Sequence, residues 1–407
     1  MAEGDEMGGA AMAGEPRGPL HGIRVFDLTL VMVGPWASMQ LAAMGADVIH
    51  IERPDLKPTD LPPIPPFLQG MTVGYVTWNM NKRGLAIDLK SEEGQRIAFE
   101  VASRCDALLV NMRPGVAERL GLDYERLSAA NPGLVYCSVT GWGREGPLAS
   151  KQGSDVVVQG FSGFTSVNGV EGGPGEFYRH HTQLDATTGN YAAGAILLGL
   201  AARRRLGHGM RIDMNMLRAS AALQSVGMAS YLSTGAVPRP AGSASLATAP
   251  HEAYSCEDRK YVGVAVTSEA EWSAFCQALG DPELERDERF RTNALRVEHR
   301  AELRDLVAAV IARMPLAYWL LQFRRHRVPA GYCRDFEEMR RDVQLLANDY
   351  LVTMPTHWGE VTTGGPPWRF GRTPARWSRG TPLPGEDNAE ILAELGVEPA
   401  REPERAS

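Results

Sequence analysis

The stretch HHTQLDATTGNYAAGAILLGLAARRR, residues 180–205, sets two histidines and a carboxylate ahead of small residues and then an apolar run. Asp185 has two roles open to it. Its side-chain oxygen can cap a helix by accepting a backbone N–H, or its carboxylate can attack an electrophile and form a covalent intermediate. Ala192, Ile196, Leu197 and Leu200 recur at helical spacing, so an apolar helix follows. Arg203, Arg204 and Arg205 sit where cations suit the negative end of its macrodipole, and Gly207 can stop it. His180 and His181 are adjacent, so their side chains diverge, and no third and fourth ligands stand at metal-site spacing. They read as polar loop residues or as substrate-pocket candidates, with no metal. Taken alone, the stretch supports capping by Asp185 and nothing more.

The elements around it form a pattern. From residue 20 onward, short apolar strands alternate with helices: IRVFDL (23–28), WASMQLAAMG as a helix ending at Gly45, DVIHIE (47–52), LAIDL (85–89), ALLV (107–110) and GLVYCSV (133–139). Ser91 is placed to cap the helix after the third strand, with Glu92 and Glu93 in its first turn. Strands separated by helices imply βαβ units and a parallel sheet, so the fold class is α/β. MRIDMNML (210–217) adds one more strand and helix, after which the character changes. STGAVPRPAGSASLATAP (233–250) is a linker or mobile loop, and AYSCEDRKYVGVAV (253–266) is a hairpin turning at Glu257–Lys260. Ser268 and Glu271 have capping-box spacing, and amphipathic helices fill 280–325, giving a smaller α+β unit. The expected division is a tail over 1–18, a large domain over 19–225, a small domain over 226–335, a return to the large domain over 336–397 and a tail over 398–407.

Bulk properties narrow the partners. The 407 residues are 44% hydrophobic and 22% charged, as in an ordinary soluble globular chain. A net charge of −7 argues against nucleic acid, which wants a basic face. The five cysteines show no CxxC pair and no even framework, which points to a reducing, cytoplasmic setting. The Gly/Ala-rich acidic start lacks the layout of a signal peptide, and no 18-residue apolar run offers a membrane span. There is no GxGxxG after the first strand, no P-loop, no GxSxG and no HExxH, so dinucleotide and serine-hydrolase chemistry are disfavoured.

Four blocks then resemble one family: PLHGIRVFDL with GPWASMQLAAMGADVIHIERP (19–54), NMNKRGLAIDLKSEEG (79–94), LLVNMRPGVAERLGLDYERLSAANPGLVYCSVTGWGREGP (108–147) and LDATTGNYAAGAILLGLAARRRLGHGMRIDMNM (184–216). Together they resemble the class III CoA-transferases, the family of formyl-CoA transferase and the carnitine CoA-transferases. The resemblance implies a Rossmann-like large domain built from both ends of the chain, a small middle domain and an interlocked homodimer. It implies that Asp185 is the nucleophile, taking CoA from an acyl-CoA donor to a free carboxylic acid through aspartyl anhydride and aspartyl-CoA thioester intermediates. Coenzyme A is then substrate, with no tightly bound cofactor. Arg53, Ile87, Lys90, Asn111, Met112, Arg119 and Leu120 take the family's CoA-binding positions, Arg53 and Arg119 toward phosphates and Met112 and Leu120 around the adenine. An Asp close to its ordinary pKa of about 3.9 is ionised at neutral pH. Helix-terminal potential is expected to keep it so. Ala186, Thr187, Thr188 and Gly189 are expected to leave room for the thioester, and Gly141 and Gly143 to shape the oxyanion wall.

The departures sharpen the reading. The related α-methylacyl-CoA racemase uses a Gly-His-Asp element, whereas here the positions are Gly153, Ser154 and Asp155. A serine cannot take the proton of a carbon acid at neutral pH, which disfavours the racemase alternative. Retention of Asp185 and the CoA-side cations disfavours a non-catalytic acyl-CoA-binding homologue. Asp155 is expected to orient the loop around the site. Met32 and Ser154 replace a glutamine and a tyrosine of formyl-CoA transferase, and its glycine-run loop is not evident in 239–250, which weighs against the formyl/oxalate pair. Met32, Trp36 and Trp78 suit a larger or apolar acid, while Arg179, His180 and His181 suit a second carboxylate. Both options stay open.

Overall fold

A computed structural model of the chain describes residues 18–180 and 182–399. His181, one of the pocket candidates, lies outside the described residues. The chain divides into two compact units: one takes residues up to Ser162, Tyr178–Met228 and the chain from Leu346, the other Gly163–Phe177 and Ala229–Leu345.

The first unit runs through β1 (Arg24–Leu28), α1 (Val33–Ala43), β2 (Asp47–Glu52), a short hairpin of β3 (Phe67–Leu68) and β4 (Met71–Thr72), α2 (Val73–Trp78), β5 (Arg83–Ala86), α3 (Glu92–Ser103) and β6 (Ala107–Val110). It continues through α4 (Val116–Arg119), α5 (Tyr124–Ala130), β7 (Val135–Thr140), α6 (Asp155–Phe161), α7 (Gln183–Leu206), β8 (Met210–Asn215) and α8 (Met216–Leu223). Six strands form one sheet in the order β5-β2-β1-β6-β7-β8, every pairing parallel. Alternation along each strand builds two cores. Phe26, Leu28, Ile49, Leu108 and Val110 face α3 and its Ile97 and Val101. Val25, Val48, Leu109, Val135 and Cys137 face the opposite way, against Ala37 and Leu41 of α1 and Ala192, Ile196 and Leu200 of α7.

The third strand ends earlier than the expected 85–89, because its ladder with β2 stops where Ala86 pairs with Glu52. Ile87 and Asp88 therefore leave the sheet and turn toward α3, capped by Ser91 as expected. As the edge strand, β5 needs partners for its outer backbone groups. Asp387 accepts from Gly84 N–H at 2.8 Å and Asn388 exchanges hydrogen bonds with Ala86. That is a physical reason for the C-terminal segment to return to this unit.

The strand order reverses between β1 and β6, so their carboxyl ends diverge and leave a crevice, the usual ligand position in such sheets. Asn111 bridges it: its Nδ2 donates to Leu30 O at 2.7 Å and its Oδ1 accepts from Leu30 N–H at 2.9 Å. The clamp holds a strained turn, for Val31 lies at φ +68°, a conformation that β-branched side chains resist.

In the second unit His251–Ser255, Tyr261–Ala265 and Ala330–Tyr332 form an antiparallel sheet, and the hairpin of the first two turns where expected. Ser268 and Glu271 form the expected capping box. Arg296 is buried against Trp272, and its guanidinium is satisfied by Ala249 O, Phe290 O and Glu269.

Candidate active site

The helix carrying Asp185 does not begin on it. Residue Thr182, in the left-handed region at φ 40°, precedes α7 and makes no side-chain cap, and Asp185 stands in the first turn. The cap arrives from a distant segment: Asp155 Oδ2 accepts Leu184 N–H at 2.8 Å and Asp185 N–H at 3.2 Å. The other oxygen of Asp155 accepts from Gln159 Nε2, and Gln159 also bonds the backbone N–H and C=O of Tyr178 at 2.9 and 2.7 Å. The buried pair Asp155 and Gln159 therefore fixes the segment entering α7. Asp155 holds the segment entering α7, and Gln159 escaped the sequence reading, since nothing marks a mid-helix glutamine as a backbone clamp.

This capping changes the electrostatics. The amides at the α7 terminus are spent on Asp155, so they do not hold the charge on Asp185. Burial, and after it the neighbouring charge of Asp155, push Asp185 up to about 7. The expectation of a nearly unperturbed, dipole-stabilised carboxylate is corrected accordingly. Near neutral pH the group titrates, which suits a nucleophile that needs a high-energy anion.

The surrounding candidates divide. Met32 is buried at the start of α1, and Thr182 Oγ1 approaches its Sδ at 2.5 Å, which ties the β1–α1 turn to the entry of α7. Trp36 points to α7, donating from Nε1 to Asn190 Oδ1 at 2.8 Å. Gly189 is required there, because a Cβ would meet Val33 O at 2.7 Å and Trp36 at 2.8 Å. That small residue lets α1 approach, which corrects the expectation that it makes room for the thioester. Ser154 is exposed just before α6 and makes no cap. A Cβ on Gly141 would lie 2.5 Å from Gly153, so the two loops touch there. Gly143 N–H is taken by Thr140 Oγ1 at 3.0 Å and is not offered to an oxyanion. His180 and Arg179 are exposed in the segment leading to α7.

A cleft of about 630 Å³ opens at the carboxyl ends of β1, β2 and β5. Among the family-position residues, Arg53, Ile87, Lys90, Met112 and Leu120 line it together, joined by Leu30, Val31, Tyr75 and Trp78. Asn111 does not, since its amide is used on Leu30. Arg119 is exposed at the end of α4 and also stands off the lining. Arg53 is not free: Asp60 Oδ2 lies 2.6 Å from its Nη2.

Beneath the cleft lies a buried polar network that the sequence reading missed. Asp27 Oδ2 accepts from Ser38 Oγ at 2.6 Å and Lys82 Nζ at 2.9 Å, and lies 3.1 Å from His50 Nδ1. Burial alone would raise this carboxyl, but the Lys82 ammonium, then His50, hold it far below the usual range. Tyr75 OH donates to Glu52 Oε1, and burial with the Glu52 charge pushes the Tyr75 phenol up. The available signal was VIHIE, a buried strand carrying a histidine and a glutamate, with NMNK beside it. Among the described residues no cluster of three metal-ligating side chains occurs.

Residues 20–388 match CoA-transferase family III. The chain is 33% identical to the succinyl-CoA:glutarate CoA-transferase of Mus musculus, over 93% of this chain and 86% of the relative. It is 34% identical to the succinate–glutarate CoA-transferase of Agrobacterium fabrum (strain C58), over 93% of this chain and 96% of the relative. A crystal structure of a CAIB/BAIF family protein from Brucella suis superposes with a TM-score of 0.84 at 30% identity, covering 93% of this chain and all of that one. The chain belongs to CoA-transferase family III. It is a class III CoA-transferase.

Proposed function

We propose that the enzyme moves CoA between dicarboxylic acids through a covalent aspartyl intermediate at Asp185. The observation that carries the reading is a carboxylate held in the first turn of α7 by Asp155, with its pKa raised to about 7. In the first step Asp185 attacks the donor thioester carbonyl, forming a mixed anhydride and releasing CoA thiolate. The thiolate then attacks the aspartyl carbon, expelling the donor acid as carboxylate and leaving an aspartyl-CoA thioester. Attack by the acceptor carboxylate regenerates an anhydride and thiolate. Return of the thiolate to the acceptor carbonyl gives the new thioester and restores Asp185. Over the whole cycle one thioester replaces another of similar energy, so no outside energy source is needed.

The cleft at the sheet ends supplies the place for CoA, with Arg53 and Lys90 toward phosphates and Met112 and Leu120 toward the adenine. The dicarboxylate preference draws on the succinate and glutarate in the names of the relatives. Arg179, exposed just ahead of α7, offers a cation to the second carboxylate, with His180 next to it in the chain. Leu198 and Val226 of the first unit are 73% and 83% exposed, apolar surface that supports a homodimer.

The test is to incubate the enzyme with succinyl-CoA and hydroxylamine and digest it. A hydroxamate on the Asp185 peptide, dependent on the thioester, is expected. Full CoA exchange with glutarate by an Asp185→Ala variant would overturn the covalent reading.

A further inference from the structure

Glu52 ends β2, the place at which dinucleotide-binding sheets of this strand order carry an acidic residue on a ribose hydroxyl, although this chain lacks their glycine-rich turn. Here the side chain is 3% exposed and the residue lines the cleft. Its two oxygens are treated differently. Oε1 accepts from Tyr75 OH and lies 3.7 Å from His50 Nε2. Oε2 has no hydrogen-bond partner among the described residues and is closed to bulk water, so a ligand hydroxyl reaches it only with a small shift of the cleft wall. A buried carboxylate oxygen left unpaired is costly, so a donor brought by a ligand gains more there than at a site already wet.

The neighbours narrow the donor. Arg53 follows Glu52 directly and faces the same cleft, as do Met112 and Leu120. On the reading of this cleft as the CoA site, a phosphate lies at Arg53 and the adenine by Met112 and Leu120, so the ribose joining them falls beside Glu52. The 3′ position of that ribose carries phosphate, which leaves one free hydroxyl as donor. We infer that Glu52 is a nucleotide-recognition residue whose Oε2 accepts a hydrogen bond from the 2′-hydroxyl of the CoA ribose. Tyr75 is a positioning residue, holding Oε1 so that Oε2 stays available.

The inference rests on the CoA-site reading, and the experiment separates their failures. Titration calorimetry on the full chain compares CoA, 2′-deoxy-CoA and the isomer with its phosphate on the 2′ oxygen. Deletion of the hydroxyl should weaken binding on the order of ten-fold, as for a hydrogen bond to a charged acceptor. The 2′-phosphate isomer should bind still more weakly, since it sets phosphate against carboxylate. In Glu52→Gln, checked for folding by circular dichroism, the penalty on the isomer should shrink. Wild-type protein that binds 2′-deoxy-CoA within two-fold of CoA overturns the hydroxyl contact. Failure to bind CoA itself overturns the cleft assignment, and the ribose subsite with it.

Discussion

Asp27 and Asp185 are carboxylates of the same unit, both shielded, and their surroundings drive them in opposite directions. Asp27 sits under the cleft with Lys82 at 2.9 Å, Ser38 at 2.6 Å and His50 at 3.1 Å, and is held ionised far below the ordinary range. Among the described residues no such cation stands beside Asp185; burial and Asp155 raise it to about 7. A satisfied carboxylate is a fixed post, and a destabilised one is a reagent. Asp27 is fully buried and Asp185 half-buried, yet the more buried carboxyl is the one held low, so partners decide the direction.

The largest effect should come from removing the reagent. Asp185→Ala should lower CoA exchange by roughly 10³-fold or more, measured by mass spectrometry of acyl-CoA products. Asp185→Asn should be equally inactive yet more stable. In the unfolded chain this carboxyl releases its proton near its ordinary value of 3.8, and in the folded chain near 7. The proton it retains when folded stabilises fully below pH 4, and that contribution is lost as pH rises through about 7. An asparagine avoids the loss, so above pH 7 the variant should gain about 1–2 kcal/mol by urea titration. A destabilised Asn variant would place Asp185 with the fixed posts.

Removing the post's partner should have the reverse signature. Lys82→Met leaves the buried Asp27 without its ammonium, and should cost about 3–5 kcal/mol of stability. Loss of less than about 1 kcal/mol in urea would mean that Ser38 and His50 suffice for Asp27 without the ammonium.

The contrast was half legible in the sequence. The alternation of IRVFDL, DVIHIE and ALLV with helices carries period-two burial, so the parallel sheet followed from pattern. Asp185 was found because it opens a long apolar helix within a recognisable block. Its pKa was misjudged because Asp155 stands 30 residues away, and no local spacing tells that it will take the α7 amides. Lys82 and Asp27 are separated by 55 residues, and an isolated Lys in NMNK reads as solvated until the fold closes over it. Local rules see neighbours along the chain, whereas charge compensation is settled across the sheet.

A smaller effect should expose the coupling within the reactive pair. Asp155→Asn keeps an acceptor oxygen for the α7 amides and removes the negative charge beside Asp185. The acidic limb of kcat/KM, set by Asp185 near pH 7 in the parent, should then move down by about one pH unit. An unmoved limb with reduced kcat would make Asp155 a cap alone and leave the shift of Asp185 to burial.

The smallest expected effect concerns the rim of the cleft, where a third carboxylate meets an arginine. Asp60 is partly exposed and holds Arg53 at 2.6 Å, while its Oδ2 also accepts Lys57 N–H at 3.0 Å. Such an exposed pair contributes little to folding. Its importance is positional, because a carboxylate on Arg53 occupies the guanidinium edge that a ligand phosphate would take. Asp60→Asn should therefore tighten CoA binding by about two- to five-fold. The gain should fade at high ionic strength. It should vanish when Arg53→Ala is combined with it, since both substitutions act through one contact. Weaker binding in Asp60→Asn would reverse the assignment and make Asp60 a support that aims Arg53 at the phosphate.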